Sequence, residues 1–151
     1  MEIDITKDEY STLLEIFEIA DWVLHAHKIE ENPETAKYRN IEQKVFSYAE
    51  DFGFENLIRF DDHLEQYFPT KEFEETSAGM KFIEEFENDS FWDELTERLV
   101  LRDLIRQEGK DNILRMTLEK RFQKEEPLRE KYISEFQNNG LNNIDIWSIT
   151  K

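Results

Sequence analysis

Glycine stands only at positions 53, 79, 109 and 140, and proline only at 33, 69 and 127. Sandwiches and barrels reverse direction every few residues and use these two residue types to do so. Such long unpunctuated intervals favour helices instead. Inside the intervals the apolar residues recur at helical spacing. Tyr10, Leu13, Leu14, Phe17, Ala20 and Leu24 form one stripe, and Ile16, Ile19 and Val23 a second on another side. A helix apolar on two sides is central to its domain. Thr6 and Glu9 have capping-box spacing, so this helix is predicted from Thr6 to about His27.

The remaining elements follow from caps and stops. Asn32 and Pro33 open a second helix that ends near Asp51, with Gly53 just beyond and Ile41, Val45, Tyr48, Ala49 and Phe52 inward. Glu55 to Tyr67 reads as a third helical stretch ending before Pro69, and residues 70–77 as a single turn. Ser77 caps a short helix to Phe86 with Phe82, Ile83 and Phe86 buried. The cluster Asn88-Asp89-Ser90 ends that helix and caps another over 90–108, which Gly109 stops. Asp111 caps the next, with Ile113, Leu114, Thr117, Leu118 and Phe122 inside. Pro127 starts the last helix, carrying Leu128, Tyr132 and Phe136, and Gly140 ends it. Residues 2–5 and 142–150 alternate polar and apolar, so the two termini are predicted to pair. The predicted fold is mainly α: a single-domain multi-helix bundle, residues 1–151, with a small two-stranded sheet formed by the N- and C-terminal segments.

Twelve phenylalanines among the 151 residues exclude a disordered acidic tail, although 36% of the residues are charged. The absence of cysteine excludes disulfides, thiolate catalysis and cysteine zinc sites. No apolar run reaches the length of a membrane span. The acidic start "MEIDITKDEY" has no basic segment followed by an apolar one, which predicts a cytoplasmic protein with no membrane partner. The formal net charge is −17, distributed as −6 over residues 1–49, −13 over 50–97 and +2 over 98–151. Nonspecific binding to nucleic-acid backbones is disfavoured, whereas a basic protein partner is electrostatically matched to the middle third.

Residues 91–107, "FWDELTERLVLRDLIRQ", carry the least ordinary pattern. Arg98, Arg102 and Arg106 recur every fourth residue and continue the stripe of Phe91, Leu95 and Leu99. At about 100° per residue all three share that stripe's sector. Arginine at an apolar position is costly unless its guanidinium is paired. Two arrangements resolve this. In the first, the ladder is the positive half of an internal ion-pair network, with Asp21, placed in the first helix's main stripe, meeting Arg98 or Arg102, and with Asp103 alongside. In the second, the ladder lines a cleft that holds a small anion, with Asp21 and His25 as polar or proton-transfer groups. The supply of carboxylates favours the first.

Other chemistry is poorly represented. His25 and His27 diverge on a helix, neither His-x-x-x-His nor Glu-x-x-His occurs, and no metal or other cofactor is expected. His27, near a helix end, fits a dipole-compatible position. The four glycines form no phosphate loop, there is no G-x-S-x-G elbow, and no catalytic residue stands out. "FWDELTERLVLRDL" followed by a helix ending "EFQNNG", together with "DWVLHAH", resembles a set of small acidic prokaryotic proteins with no assigned function. That resemblance implies a helical domain and nothing about activity. The expected function is therefore a non-enzymatic protein-interaction or regulatory domain that uses the acidic surface of residues 50–97. The alternatives are an anionic-ligand or enzymatic site at the arginine ladder, and a nucleic-acid mimic in which carboxylates 72–75 and 84–89 form one exposed stripe.

Overall fold

The structure, a computed structural model, describes residues 3–27 and 32–145. It is mainly α, with eight elements in the order α1 (Lys7–His25), α2 (Ala36–Phe46), β1 (Ile58–Asp61), β2 (Gln66–Pro69), α3 (Lys71–Thr76), α4 (Gly79–Glu108), α5 (Lys110–Arg115) and α6 (Leu118–Asn139). Contacts divide the chain into two compact units, Met1–Phe86 and Glu87–Lys151, and α4 contributes to both.

The first unit is organised around α1. Its capping box is formed as the sequence predicts: the Glu9 N–H donates to the Thr6 hydroxyl, and the Glu9 carboxylate accepts the Thr6 N–H at 2.8 Å. The main stripe points inward. Tyr10 and Leu14 are buried with Phe46, Ala49, Ile58 and Phe73, and Phe17, Phe52, Phe54 and Tyr67 pack around them. Tyr10 stacks on Phe52 at 4.2 Å and donates its hydroxyl proton to the Val45 carbonyl at 2.7 Å. Burial, reinforced by the nearby Asp51, pushes this phenol up to about 12. The second stripe is only partly covered: Ile19 is half-buried, but Ile16 and Val23 are exposed.

Helix α2 is shorter than the spacing predicts. Asn32 and Pro33 open a turn, in which the Asn32 side chain accepts from the Glu34 N–H and its carbonyl accepts from Thr35. After Phe46 the chain tightens into successive turns that end at Gly53, whose φ of +71° suits a residue without a side chain. The buried face is also rotated from the predicted one. Ile41 and Tyr48 are exposed, while Glu42 shares the inward side with Phe46 and Ala49.

The predicted third helix is instead a hairpin. Strands β1 and β2 pair antiparallel, with Phe60 opposite Tyr67 and Ile58 opposite Pro69. The loop between them contains no glycine. The Asp61 carboxylate accepts the N–H groups of His63 and Leu64, and Glu65 takes the left-handed backbone with φ +52°. This hairpin is the two-stranded sheet, so the strand pairing lies in the middle of the first unit and not at the termini. Ile3, Asp4 and Ile5 belong to no strand, residues 141–143 form a turn, and the predicted tail strand beyond Asp145 lies outside the described residues. The predicted single turn after Pro69 is α3, capped by the Thr70 hydroxyl.

In the second unit Val100, Tyr132 and Phe136 form the core, with Trp92, Leu95, Leu99 and Leu128 packed on it. Helix α4 runs straight through Asn88-Asp89-Ser90, where a break was predicted. Asn88 bonds within the helix: it accepts from the Trp92 indole at 3.2 Å and donates to the Asp89 carboxylate. Gly109, with φ +80°, separates α4 from α5, and Asp111 lies in the first turn of α5 and not at its cap. Thr117 caps α6, which carries Pro127 in its interior, bracketed by the ion pairs Arg121–Glu125 and Arg129–Glu126. Only part of each predicted face is covered. Ile83 and Ile113 are buried, but Phe82, Phe86, Leu114, Leu118 and Phe122 are exposed. Among the described residues, no helix is long and apolar enough to cross a membrane.

Candidate functional site

The arginine ladder lies in the second unit, where carboxylates engage it. Arg98 pairs one turn back along α4 with Glu94 at 2.5 Å, and its side chain is 79% exposed. Arg102 donates from Nε to Asp103 at 2.9 Å and from a terminal nitrogen to the Tyr132 hydroxyl at 3.0 Å. Arg106 reaches the same Asp103 oxygen at 3.3 Å. The Tyr132 hydroxyl donates to the other Asp103 oxygen. Asp103 is thus the hub of a small network between α4 and α6. Its hydrogen bond from Arg102 holds its carboxyl below the usual range, helped by Tyr132 and Arg106. Burial and the bond to Asp103 raise the Tyr132 phenol. A second network lies alongside: Arg129 bonds both oxygens of Glu97, at 2.6 and 3.0 Å, and also Glu126.

Asp21 and His25 lie in the first unit and partner each other. His25 Nδ1 is 2.6 Å from the Asp21 carboxylate, and Nε2 is 3.0 Å from the Thr35 hydroxyl. That hydroxyl donates to the Asn32 carbonyl, so its oxygen faces the ring as an acceptor. Both ring nitrogens therefore have an oxygen partner. The pair fastens the end of α1 to the turn before α2.

The first unit also contains a cleft of about 460 Å³. Helix α1 supplies Glu18, Asp21 and Trp22, and α2 supplies Arg39, Glu42, Gln43 and Phe46; both sets follow helical spacing. The far wall is β2, then Phe73 and Glu74 of α3, and Met80 of α4. Gln43 fixes β2 against α2: its amide donates to the Tyr67 carbonyl at 2.9 Å and accepts the Tyr67 N–H at 2.7 Å. Glu18 accepts from the Ser77 hydroxyl, which in turn accepts the Gly79 N–H at 3.0 Å, so Glu18 also steadies the start of α4.

The electrostatics of the cleft are unbalanced. Four carboxylates line it, with Arg39 the one lysine or arginine among the lining residues. Burial, reinforced by the charge of Asp21 and only partly offset by Arg39, pushes Glu42 up to about 7. Burial likewise raises Glu18, against the Ser77 hydrogen bond, and the charges of Glu15 and Glu74 add to it. The remaining lining is largely aromatic or apolar: Trp22, Phe46, Tyr67, Phe68, Pro69, Phe73 and Met80. Among the described residues no group of three or more His, Asp or Glu side chains is placed to hold a metal ion.

The sequence pattern singles out Asp21 and His25 as companions of the arginine ladder, not of this cleft, and does not single out Glu18, Arg39, Glu42 or Glu74. Glu42 was accessible in principle, since it precedes Phe46 and Ala49 by four and seven residues and so shares their helical face. Glu74 was not, because the hairpin that brings α3 to the cleft was read as a helix. No protein family, curated protein or solved structure matches the chain.

Proposed function

We propose that the protein is a non-enzymatic interaction domain that holds a basic partner protein on the acidic surface of its first unit. One observation carries this: the unit's charge is unbalanced both in total and at its cleft. Residues 1–86 contain 22 acids against 8 bases, a net of −14. The carboxylates of the cleft, half-buried at Glu18, Asp21 and Glu42 and exposed at Glu74, have the aromatic surroundings that suit a cation with an apolar stem. A partner's lysines and arginines would relieve that imbalance and be steered toward it. Exposed Phe82 and Phe86 beside Glu84 and Glu85 favour a protein partner over nucleic-acid mimicry, which calls for carboxylates without intervening phenylalanines.

Glu42 supports a second reading. A cleft carboxyl that titrates near neutrality is a candidate proton-transfer group, as an enzyme would need. The lining contains no serine, threonine, histidine or lysine to work beside it, which favours binding. The arginine ladder, with its heads already engaged by carboxylates, supports an anion site less well.

The test is a panel of lysine- and arginine-rich peptides, with acidic and neutral peptides as controls, measured by fluorescence anisotropy at low and high salt. Binding confined to the basic peptides and weakened by salt is expected. Equal binding of all three classes, or none at low salt, refutes the proposal.

A further inference from the structure

We propose that the cleft between α1, α2 and β2 is a socket for a single arginine side chain of the partner, with the guanidinium held by the carboxylates and the stem laid on the aromatic wall. This rests on the reading that the first unit binds a basic protein, and it names the side chain that is recognised.

Four features of the cleft lead to this occupant. The carboxylates act on one another in two pairs, Asp21 with Glu42 and Glu18 with Glu74. Like charges brought together in a partly dry site are relieved most by a cation placed among them. Second, the carboxylates project from three different elements, α1, α2 and α3. A planar group with five donors can serve several acceptors at once, whereas an ammonium offers only three donors from a single atom. Third, Trp22, Tyr67, Phe68 and Phe73 provide aromatic surface, on which a weakly hydrated guanidinium stacks and a strongly hydrated ammonium does not. Fourth, about 460 Å³ lies in the range of small-ligand sites, enough for one long side chain and part of an apolar neighbour but too little for a folded element. The surrounding charge of the unit argues for an arginine carried on a basic protein, since a free amino acid would bring its own carboxylate into an acidic field.

Occupancy is linked to protons. The groups facing Glu42 are Asp21, with His25 behind it, on α1; Arg39 on its own helix; Glu18 and Glu74 across the cleft; and Tyr67 on β2. Near neutrality Glu42 is partly protonated, and an arriving guanidinium expels that proton. Binding therefore tightens as pH rises through about 7 and weakens below it.

The experiment is a ¹⁵N–¹H NMR titration of the whole protein with a capped peptide containing one arginine flanked by leucines. Its citrulline counterpart has the same shape without the charge, and a lysine counterpart tests the head group. The arginine peptide is expected to shift the Trp22 indole and the amides of residues 18–22 and 39–43, to bind more weakly at lower pH, and to outrank lysine. Citrulline is expected to shift none of these. Glu42→Gln and Glu74→Gln should each weaken binding about tenfold or more, while Glu75→Gln, on α3 but outside the cleft lining, should not. Glu42→Gln preserves shape, and its spectrum reports directly whether the fold is retained. Equal binding of arginine and citrulline, shifts confined to other surfaces, or unchanged affinity in Glu42→Gln each overturns the socket. If the basic peptides of the wider panel still bind in a salt-dependent way, the interaction reading survives that failure. If no basic peptide binds, both fall.

Discussion

Glu42 is the residue whose environment departs furthest from water among the carboxylates of the cleft. Its folded-state value near 7 lies above its ordinary 4.5, so the folded protein holds this proton more tightly than the unfolded chain does. The stability it contributes is complete below about 4.5 and is lost as pH rises through about 7. Glu42→Gln removes that penalty. The variant should be more stable than the parent at pH ~8, by on the order of 1–2 kcal/mol once solvent screening of a half-open site is allowed for, and the gap should close toward pH ~4.5. Urea midpoints across this range measure it, and a gap that does not depend on pH would refute the assignment. At Asp103 the expectation reverses, because its partners stabilise the charge. Asp103→Asn leaves Arg102 and Arg106 facing a neutral amide and should cost about 1–2 kcal/mol. Arg98→Ala, which removes only an exposed pair within one helix, should stay within about 0.5 kcal/mol. Denaturation of the two variants ranks the ladder. The sequence pattern put Asp21 first as the carboxylate for Arg102, with Asp103 alongside; Arg102 bonds Asp103, its neighbour on the same helix. The pattern could not show that Arg98 turns to Glu94, because the choice between a neighbour on the same helix and a distant carboxylate depends on packing.

The elements show where periodicity succeeds and where it misleads. Helix α1 was legible because its apolar residues repeat over several turns and Thr6 with Glu9 completes a capping box, whereas only the second half of α6, with Leu128, Tyr132, Phe136 and the stop at Gly140, could be read: Thr117 caps that helix instead of lying inside an earlier one, and Pro127 lies within it instead of starting it. The hairpin was not legible. Leu57, Phe60, Leu64 and Tyr67 also fit a helical spacing, and the loop lacks the Asn-Gly or Asp-Gly pair that would mark a reversal. Glu65 takes the left-handed conformation that such a glycine would supply. Glu65→Gly therefore relieves a strain of about 1 kcal/mol, less the entropy glycine loses on folding, so a net change from zero to mild stabilisation is expected. Gly109 presents the opposite case. It has φ +80° and open space where a side chain would begin, so Gly109→Ala should cost about 1 kcal/mol from the backbone alone. Thermal unfolding of the two variants should show no fall for the first and a fall for the second. A destabilised Glu65→Gly would mean that its side chain contributes more than its backbone costs. The long α4 carries a further lesson. Asn, Asp and Ser favour caps only when nothing better is available, and here the side chain of Asn88 accepts from Trp92.

For the whole molecule the two units differ in charge and in what their carboxylates prefer. Residues 1–86 carry a net −14, whereas residues 87–151, with 14 acids and 11 bases, carry −3. In the first unit the cleft carboxyls Glu18 and Glu42 are raised, so protonation favours the folded form. In the second, Glu97 and Asp103 are lowered by Arg129 and Arg102, so protonation opposes it. The two units should therefore respond to acid with opposite signs. As pH falls from about 7 to about 4.5, the first unit should gain protection against hydrogen exchange, once intrinsic rates are corrected, while the second stays level. As pH falls further, through the lowered values of Glu97 and Asp103, the second unit should lose protection. Added salt should act in the same sense as mild acid on the first unit, since it screens the self-repulsion of a net −14, and should have little effect on the second. Residue-resolved hydrogen exchange across pH and salt separates the units in a single series. If the amides of α1 and α2 lose protection between pH ~7 and ~4.5 in step with those of α6, then Glu18 and Glu42 do not bear the unfavourable charge on which the cleft's affinity for a cation depends.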